Sequence, residues 1–412
     1  MPTIAIVDGY STGSALSRAL AERGVVCVHV CGAATAAGYF RKTFRPGDYE
    51  VDLGYVADRE ELVGRLRAFG VDRVVAGTES GVILADTLNH LLGTPGNEIA
   101  TVAARRDKSA MAEAVLAAGL AAPTGRACAS VDEAATWYAA AISGPAVVKP
   151  LDSAGTDNVR FCRDVDEVRA ASADVLAARN IYGAANRRIL VQERLVGTEF
   201  YVNSVSHGGS HRIAEIWRYA KRPGPTGAPI YDYEEPVDPA SALAATIRDF
   251  VFAVLDALGI RSSAAHTELM LTDRGPVLIE TGARLGGATL PDVVAKLSGV
   301  SQTSLLVQSL VDPASFAAFD DRASRWSAAV RNISLINPIL VAAQTPDWQA
   351  RLSELPTAVA VAASCVPGAE LPQTVDLISS PGFVYLVSEY PSEVERDYLA
   401  LRRWERYGLY GG

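Results

Sequence analysis

The stretch AHTELMLTDRGPVLIETGARLGG (residues 265–287) places two apolar runs on either side of Asp273-Arg274-Gly275, and each run carries one glutamate. Asp-Arg-Gly is typical of a three-residue hairpin loop with glycine in the left-handed conformation. In such a hairpin Glu268 and Glu280 are equally far from Arg274, so they face each other across the two strands. Like charges that face each other on a sheet repel, and burial adds to the cost of each carboxylate.

Two interpretations of this pair are open from the hairpin alone. A bound divalent cation would remove the repulsion, because Mg²⁺ binds carboxylate oxygens together with the phosphates of a substrate. Alternatively, both carboxylates face solvent on an open sheet, or the strand register is shifted by one residue. The rest of the chain has to decide between them.

Two lysines elsewhere suit a polyphosphate ligand. Lys149 ends the apolar strand AVVKP and precedes the small residues of segment 152–156, which would let backbone N–H groups and hydroxyls approach phosphate oxygens. Lys108 follows Arg105-Arg106-Asp107 at the predicted start of a helix. Either lysine alone is typical of a solvated surface, but together with the paired carboxylates they favour a polyphosphate ligand.

The composition and charge of the chain limit the class of protein. Its 412 residues are enough for two or three domains, and 49% hydrophobic with 21% charged residues is ordinary for a globular protein. The net charge of −9 argues against sequence-independent nucleic-acid binding. No apolar run approaches the roughly 18 residues that span a membrane, and no leader pattern is present, so we expect a cytoplasmic protein. The five cysteines lack metal-ligand spacing and predict buried thiols.

The first hundred residues alternate strand and helix patterns. TIAIVDGY and VVCVHV read as strands, whereas SALSRALAERG and REELVGRLRAFG have helical spacing, which predicts a parallel sheet with helical crossovers. The turn at residues 8–13 is either a dinucleotide-binding loop or a tight structural turn. It departs from GxGxxG, and no ribose-binding acid follows at the expected distance, which favours the structural turn.

Several other residues are candidates for substrate contact. Glu79 follows a strand of the first sheet and is either a ligand for a substrate ammonium or an acid stabilised by a helix dipole. His266 shares a strand face with Glu268 and is either a substrate contact or a buried structural histidine. The segment from Lys221 to Pro239 is rich in Gly and Pro and has no period, so it predicts a loop that forms a wall or lid. Tyr231 and Asp232 in this loop would face the substrate.

The order of five motifs resembles the ATP-grasp superfamily of carboxylate–amine ligases. These motifs are RRDKSAM, VVKPLDSAGTDNV, LVQERLVGTEF, HTELML and LIETGARLGG, and the resemblance covers roughly residues 75 to 290. GTESGVILADTLNHLLGTPGN and ETGARLGG are most similar to the branch that contains the L-amino acid ligases, which are dipeptide synthetases. The resemblance implies an α/β and α+β chain with a Rossmann-like N-terminal domain before a two-subdomain ATP-grasp fold. We expect the N-terminal domain at 1–104, the first (lid) subdomain at 105–190, the second subdomain with the metal-binding strands at 191–325, and at 326–412 a C-terminal portion that packs on them and completes the substrate site.

The resemblance also implies residue roles. Lysines would contact the ATP phosphates, a small-residue loop would close over them, a hinge would hold adenine largely through its backbone, and the acid of GTE would bind the ribose. The implied nucleotide-binding residues are Lys108, Lys149, Ser153, Thr156, Gln192, Glu193, Leu195 and Glu199. The implied metal ligands are Glu268 and Glu280, for two Mg²⁺ ions that Mn²⁺ can replace. The implied catalytic residues are Arg284, against the acyl phosphate and tetrahedral intermediate, and Lys149. The implied substrate residues are Glu79, Tyr231, Asp232, His266, Arg284 and Gly287.

One position departs from the superfamily pattern. Many ATP-grasp enzymes follow the second acid with asparagine, as ExN, to complete the metal shell, whereas here Glu280 is followed by Thr281 and Gly282. The GAR form occurs in the amino acid ligase branch, so the metal assignment is kept and a third ligand stays unassigned.

The expected activity is an ATP- and Mg²⁺-dependent ligase that activates a carboxylate as an acyl phosphate and couples it to an amine, releasing ADP. Its partners would be small-molecule acids and amines, with amino acids favoured, and a homodimer is compatible with this class. The alternatives are an ATP-grasp carboxylase that uses bicarbonate and a nucleotide-binding regulator without turnover.

Overall fold

The computed structural model describes residues 2–34, 42–153, 157–180, 183–225, 228–343, 347–364 and 368–411. Thr156 and Cys365 lie outside these ranges. Among the described residues, no helix is both long and apolar enough to cross a membrane. Three of the four described cysteines, Cys27, Cys128 and Cys162, are buried, as predicted.

The N-terminal part is a parallel sheet flanked by helices. Its elements are β1 (Thr3–Val7), α1 (Thr12–Ala21), β2 (Val26–Val30), β3 (Val51–Asp52), α2 (Arg59–Ala68), β4 (Arg73–Ala76) and α3 (Val82–Leu92). The strands lie in the order β3-β2-β1-β4, so the predicted alternation is confirmed. The turn after β1 packs tightly, since a Cβ on Gly13 would lie 2.7 Å from the Cα of Gly77.

A second, antiparallel sheet follows a 3₁₀ segment at Ile99–Arg105. Its elements are α4 (Lys108–Ala117), β5 (Gly125–Cys128), α5 (Val131–Ala141), β6 (Ala146–Pro150), β7 (Arg160–Cys162), α6 (Val165–Ala177) and β8 (Ile189–Glu193). The strand order is β5-β8-β6-β7. Helices α5 and α6 pack on each other and bury the apolar face of this sheet, where Val148, Val168 and Val191 are fully enclosed. The opposite face is left to line a cavity.

An eight-stranded antiparallel sheet forms the remainder of the fold. The elements in chain order are β9 (Thr198–His207), β10 (Ser210–Pro223), β11 (Pro229–Pro236), α7 (Ala242–Ala257), β12 (Ala264–Thr272), β13 (Gly275–Gly282), α8 (Pro291–Ser298), α9 (Gln302–Val311), α10 (Pro313–Ala318), β14 (Ala329–Ser334), β15 (Val341–Ala343), α11 (Trp348–Leu352), β16 (Ala358–Ala363), β17 (Glu370–Pro372), β18 (Gly382–Ser388) and α12 (Pro391–Arg406). The large sheet has the order β13-β12-β9-β10-β11-β14-β18-β16, and β15 pairs separately with β17. Strands β14, β16 and β18 of the C-terminal portion therefore extend the sheet that carries the paired glutamates.

The prediction of a loop from Lys221 to Pro239 is wrong, because most of this segment is strand. Its first residues end β10 and its middle forms β11, which pairs with β10 on one side and β14 on the other. The sequence conceals the strand because β11 contains an extra residue. Tyr233 pairs with Ala220 and Tyr231 with Lys221, so Asp232 is a one-residue bulge that interrupts the alternation.

The bulge turns Asp232 toward helix α12 and away from any substrate. Its carboxylate accepts hydrogen bonds from Arg402 Nε (2.8 Å) and from the Tyr398 hydroxyl (2.9 Å). Arg402 also donates to Glu405 and to the backbone carbonyl of Ser334, and its side chain is buried. The expected substrate role of Asp232 is therefore corrected, because this acid joins the C-terminal helix to the sheet.

Replacing Arg402 with alanine is expected to destabilise the protein by about 3–5 kcal/mol, because Asp232 and Glu405 would stay buried without their nearest cation. Urea denaturation of the variant checks this. The control is Arg403→Ala, at an exposed arginine of the same helix, which should change the unfolding free energy by less than about 0.5 kcal/mol. Equal unfolding free energies for the two variants would contradict the assignment.

Candidate active site

One cavity of about 230 Å³ lies between the four-stranded antiparallel sheet and the eight-stranded sheet. Both sheets and the start of α4 contribute to its wall. The predicted site residues that line it are Lys108, Lys149, Ser153, Gln192, Leu195, Glu199, Tyr231, His266, Glu268, Glu280, Arg284 and Gly287. Three others, Glu79, Glu193 and Asp232, are not part of this lining, and Thr156 falls outside the described residues.

Glu268 and Glu280 face each other on adjacent strands, and both carboxylates point into the cavity. The turn length and the strand register that produce this pairing differ from the predicted ones. The turn contains two residues, since Thr272 pairs with Gly275, and that register alone would place Glu268 opposite Ile279. Ile279 is an extra residue in β13, and this bulge restores the Glu268–Glu280 pairing.

Each of these glutamates has cationic or hydrogen-bonding neighbours. Glu268 Oε1 accepts a hydrogen bond from the Tyr219 hydroxyl (3.1 Å) and lies 3.6 Å from His266 Nε2. Burial opposes ionisation of Glu268, but the hydrogen bond and charge of His266 lower its pKa to about 2. Glu280 Oε2 lies 3.0 Å from Lys108 Nζ. The two side chains therefore form a pair of carboxylate oxygen donors, which is the kind of ligand that a hard divalent cation requires.

Lys108 and Lys149 lie near this pair from the side of the smaller sheet. Lys108 begins α4, whose N-cap is Asp107, and its Nζ also donates to the Ser153 carbonyl at 2.8 Å. Lys149 is buried near the end of β6, where burial lowers its pKa to about 8 against the raising effect of Glu280. Two lysines and two carboxylates within one cavity would balance the charge of a metal–phosphate ligand.

The cavity wall also contains apolar side chains that suit a planar ring. They are Val147 and Phe161 of the smaller sheet, Met270 and Ile279 of the larger sheet, and Leu195 of the connection between β8 and β9. Glu193 was predicted in the hinge that would hold adenine, but its side chain is not part of the cavity lining. Its carboxylate accepts from the Thr124 backbone N–H (2.9 Å) and from Arg274 Nη2 (3.1 Å).

Lys221 is a cavity residue that the sequence analysis missed. Its Nζ donates to Glu199 Oε1 at 2.7 Å and lies 4.4 Å from the centre of the Tyr231 ring. Burial raises the pKa of Glu199, and the charge of Lys221 opposes that rise. The predicted ribose-binding acid is thus held by a cation of the neighbouring strand.

Arg284 is fixed by an acid of the N-terminal domain. Glu79 Oε2 accepts from Arg284 Nε (2.8 Å), and Glu79 Oε1 accepts from Arg106 Nη1 (2.8 Å). Burial opposes ionisation of Glu79, but the charges of Arg284 and Arg106 lower its pKa. The expected contact of Glu79 with a substrate ammonium is corrected, because both of its oxygens are already engaged by arginines.

The Glu79–Arg284 pair also accounts for glycine at position 282. A Cβ at Gly282 would lie 2.4 Å from Glu79 Oε2 and 3.3 Å from Arg284 Nε. The Glu79 carboxylate thus occupies the space that an asparagine side chain would need. Glycine at position 282 therefore leaves room for this interdomain ion pair, which an asparagine there would displace.

His266 is held by a chain of buried polar groups. Its Nδ1 lies 2.7 Å from Asn203 Oδ1, and Asn203 Nδ2 donates to Glu215 Oε1 at 2.8 Å. Because the amide nitrogen of Asn203 donates to Glu215, the amide oxygen of Asn203 faces His266. Nδ1 of His266 therefore carries a proton, and Nε2 of the same ring is directed toward Glu268. His266 is therefore a hydrogen-bonded buried histidine that also lines the cavity, and its contact with a substrate stays a prediction.

Residues 142–292 match the ATP-grasp domain family. The chain is 30% identical to dapdiamide A synthase of Enterobacter agglomerans, and the alignment covers 97% of this chain and 95% of the relative. Among solved structures it is similar to an L-amino acid ligase from Bacillus licheniformis, with a TM-score of 0.74 and 20% identity over 98% of this chain and 97% of the other. It is also similar to N5-carboxyaminoimidazole synthase from Aspergillus clavatus in complex with ADP, with a TM-score of 0.71 and 13% identity over 98% and 99% of the chains.

The buried Glu215 predicts a pH-dependent stability. Burial raises its pKa from 4.5 to about 7, so its stabilising contribution is present at low pH and is lost as the pH rises through this range. We expect the unfolding free energy of Glu215→Gln, relative to wild type, to increase by about 2 kcal/mol between about pH 5 and about pH 7.5. Urea denaturation at the two pH values measures the difference, and a difference that does not change with pH would contradict the assignment.

Proposed function

The chain belongs to the ATP-grasp family of ATP-dependent carboxylate–amine ligases, and from that premise we propose that it joins one amino acid to the amine of a second. The observation that carries the proposal is the opposed Glu268–Glu280 pair in one cavity with Lys108, Lys149 and Arg284. The relative named dapdiamide A synthase and the neighbour named L-amino acid ligase support the choice of amino acids as substrates.

The chemistry explains why ATP is needed. A carboxylate does not condense with an amine in water, because oxide would have to leave. Attack of the carboxylate on the γ-phosphorus of ATP gives an acyl phosphate and ADP, and attack by the amine then expels phosphate. Such a phosphoryl transfer depends on positioning and charge neutralisation rather than on covalent help from the protein.

The residues of the cavity fit these two steps. Lys108 and Lys149 would contact the phosphates, and the apolar side chains of the wall, with Gln192 and Leu195, would hold adenine. Glu199 would bind the ribose once its contact with Lys221 opens. Ser153, whose carbonyl accepts a hydrogen bond from Lys108, would contribute to the phosphate site, and so would Thr156.

Glu268 and Glu280 would hold the divalent metal. We propose Mg²⁺, two ions, with Mn²⁺ as an effective substitute, because the donors are carboxylate oxygens. When bound, the metal neutralises charge on the phosphates that the lysines also contact. Since Glu79 fills the space beside Gly282, the third protein ligand must come from another residue or be replaced by water.

Arg284 would stabilise the oxyanion that forms when the amine attacks the acyl phosphate. Its Nε is anchored by Glu79 and its Nη1 donates to the Leu285 carbonyl, so the guanidinium is held in place before substrate arrives. The neighbouring Gly287 would face the same substrate. Lys221 of β10 and Tyr231 of β11 line the cavity, and this wall would help to exclude water from the acyl phosphate.

The proposal includes a cytoplasmic location and a homodimer. A bicarbonate-dependent carboxylase and a regulator without turnover are the competing functions. A phosphate-release screen of paired amino acids, with the product mass measured, separates all three. The ligase releases ADP and phosphate only when an acid and an amine are both present; AMP formation, amine-independent release or strict bicarbonate dependence would contradict it.

Changing Glu280 to glutamine is expected to lower kcat/KM by at least about 100-fold, because an amide replaces one of the two carboxylate ligands proposed for the metal. Coupled detection of ADP measures the loss, and increasing Mg²⁺ should recover part of it. The control is Asp273→Asn, the same change of acid to amide at an exposed residue of the hairpin turn, which should leave turnover unchanged. Full turnover of the Glu280 variant would exclude this residue from the metal site.

Introducing asparagine at Gly282 is expected to lower kcat by about 100-fold rather than to complete a metal shell, because its Cβ would displace Glu79 from Arg284. The control is Gly144→Asn, where no atom lies within 4 Å of an added Cβ. In a double-mutant cycle with Glu79→Gln, the two losses should be strongly non-additive. Wild-type kcat together with tighter Mg²⁺ binding would show that position 282 is open to a ligand side chain.

A further inference from the structure

Glu234 is an acidic residue of the cavity wall that no sequence pattern indicated. It lies in β11 next to the Asp232 bulge, and the bulge places Tyr231 and Glu234 on the same face of the strand, toward the cavity. Without the extra residue these two side chains would point to opposite faces. Glu234 is 7% exposed, so its carboxylate is nine-tenths buried.

The carboxylate of Glu234 is held in place by neutral groups. Its Oε2 accepts hydrogen bonds from the Tyr201 hydroxyl (2.8 Å) and from Asn332 Nδ2 (3.0 Å). No cation of the described residues forms an ion pair with Glu234, and Oε1 receives no hydrogen bond from them. Burial raises the pKa of Glu234 to about 7, as expected for an acid without a counter-charge.

Each other glutamate at this site lies beside a basic side chain. Glu199 pairs with Lys221, Glu280 with Lys108, and Glu79 with Arg106 and Arg284. Glu268 lies beside His266. A buried carboxylate aimed into a cavity, fixed on one oxygen and open on the other, has the properties of a receptor for a cationic group of a ligand.

The same hydrogen-bond network connects Glu234 to the segment after β13, residues 284–288. Asn332 Nδ2, which donates to Glu234, also donates to the Ala288 carbonyl at 3.1 Å. Ala288, Gly287 and Arg284 all line the cavity on the segment that follows β13. Glu234 therefore lies close to the segment that would hold the reacting carboxylate.

We propose that Glu234 Oε1 binds the α-ammonium of the amino acid whose carboxylate is activated. The inference rests on the proposed ligase function and narrows the acid to an α-amino acid with a free ammonium. In such an acid the ammonium and the carboxylate are one carbon apart, so an anionic receptor is needed close to Arg284. The attacking amine is a poor candidate for this contact, because a salt bridge would keep it protonated and unable to attack.

The test uses the full-length protein and two acids that differ in one group. The first is the most active amino acid donor found in the phosphate-release screen, and the second is the same acid with hydrogen in place of the α-ammonium, with the amine kept constant. We expect wild type to prefer the amino acid by at least about 30-fold in kcat/KM. This comparison needs no variant, so it stands even if a substitution impairs folding.

In Glu234→Gln the preference should collapse. The glutamine keeps the shape and the acceptor for Tyr201 and Asn332 but has no charge, so kcat/KM for the amino acid should fall about 30-fold, mainly through KM, while the ammonium-free acid changes less than about threefold. The control is Glu235→Gln, the same change at the next residue of β11, which pairs with Arg331 outside the cavity lining and should behave as wild type.

Three results would overturn the inference while leaving the ligase function intact. One is a wild-type enzyme that accepts the ammonium-free acid equally well. Another is a Glu234→Gln variant that loses the same factor with both acids, which would indicate a general base or a structural role. The third is a screen in which every productive donor lacks an ammonium group. A screen that yields no amide product at all would instead contradict the proposed function.

Discussion

The cavity depends on a charge constraint: two partly buried carboxylates that face each other need basic neighbours, and the lysines near them come from outside their own sheet. Glu268 and Glu280 occupy strands of the large sheet, while Lys108 and Lys149 come from the smaller sheet and the helix before it. Arg284 follows the same hairpin, but its anchoring acid, Glu79, comes from the N-terminal domain. Because the charges are divided among three parts of the chain, the cavity is complete only when these parts are assembled.

Two one-residue bulges, one in β11 and one in β13, determine which side chains of these strands face the cavity. The bulge at Ile279 brings Glu280 opposite Glu268, and the bulge at Asp232 turns Tyr231 and Glu234 inward while Asp232 meets Arg402 of the C-terminal helix. In both strands a regular alternation would have sent a functional side chain to the wrong face. Strand β11 thus contacts helix α12 through Asp232 and lines the cavity with Tyr231 and Glu234.

Much of this arrangement could be predicted from the sequence, and the remainder depends on contacts that local patterns do not encode. The paired glutamates, the two lysines and Arg284 stand in recognisable motifs, and the alternating strands and helices of the N-terminal domain follow from periodicity. The strand character of β11 was hidden because a bulge removes its period. The partners of Glu79 and the reason for Gly282 depend on residues about 200 positions apart, Glu79 and Arg284, which approach only in the folded protein.

The central claim is that the carboxylate attacks ATP and forms an acyl phosphate. The most direct measurement uses an acid substrate with both carboxylate oxygens labelled with oxygen-18, followed by mass analysis of the phosphate released with a saturating amine. The account predicts that each phosphate carries one labelled oxygen and that the amide product retains the other, because the bridging oxygen leaves with phosphorus. Unlabelled phosphate, or label found in AMP, would contradict it.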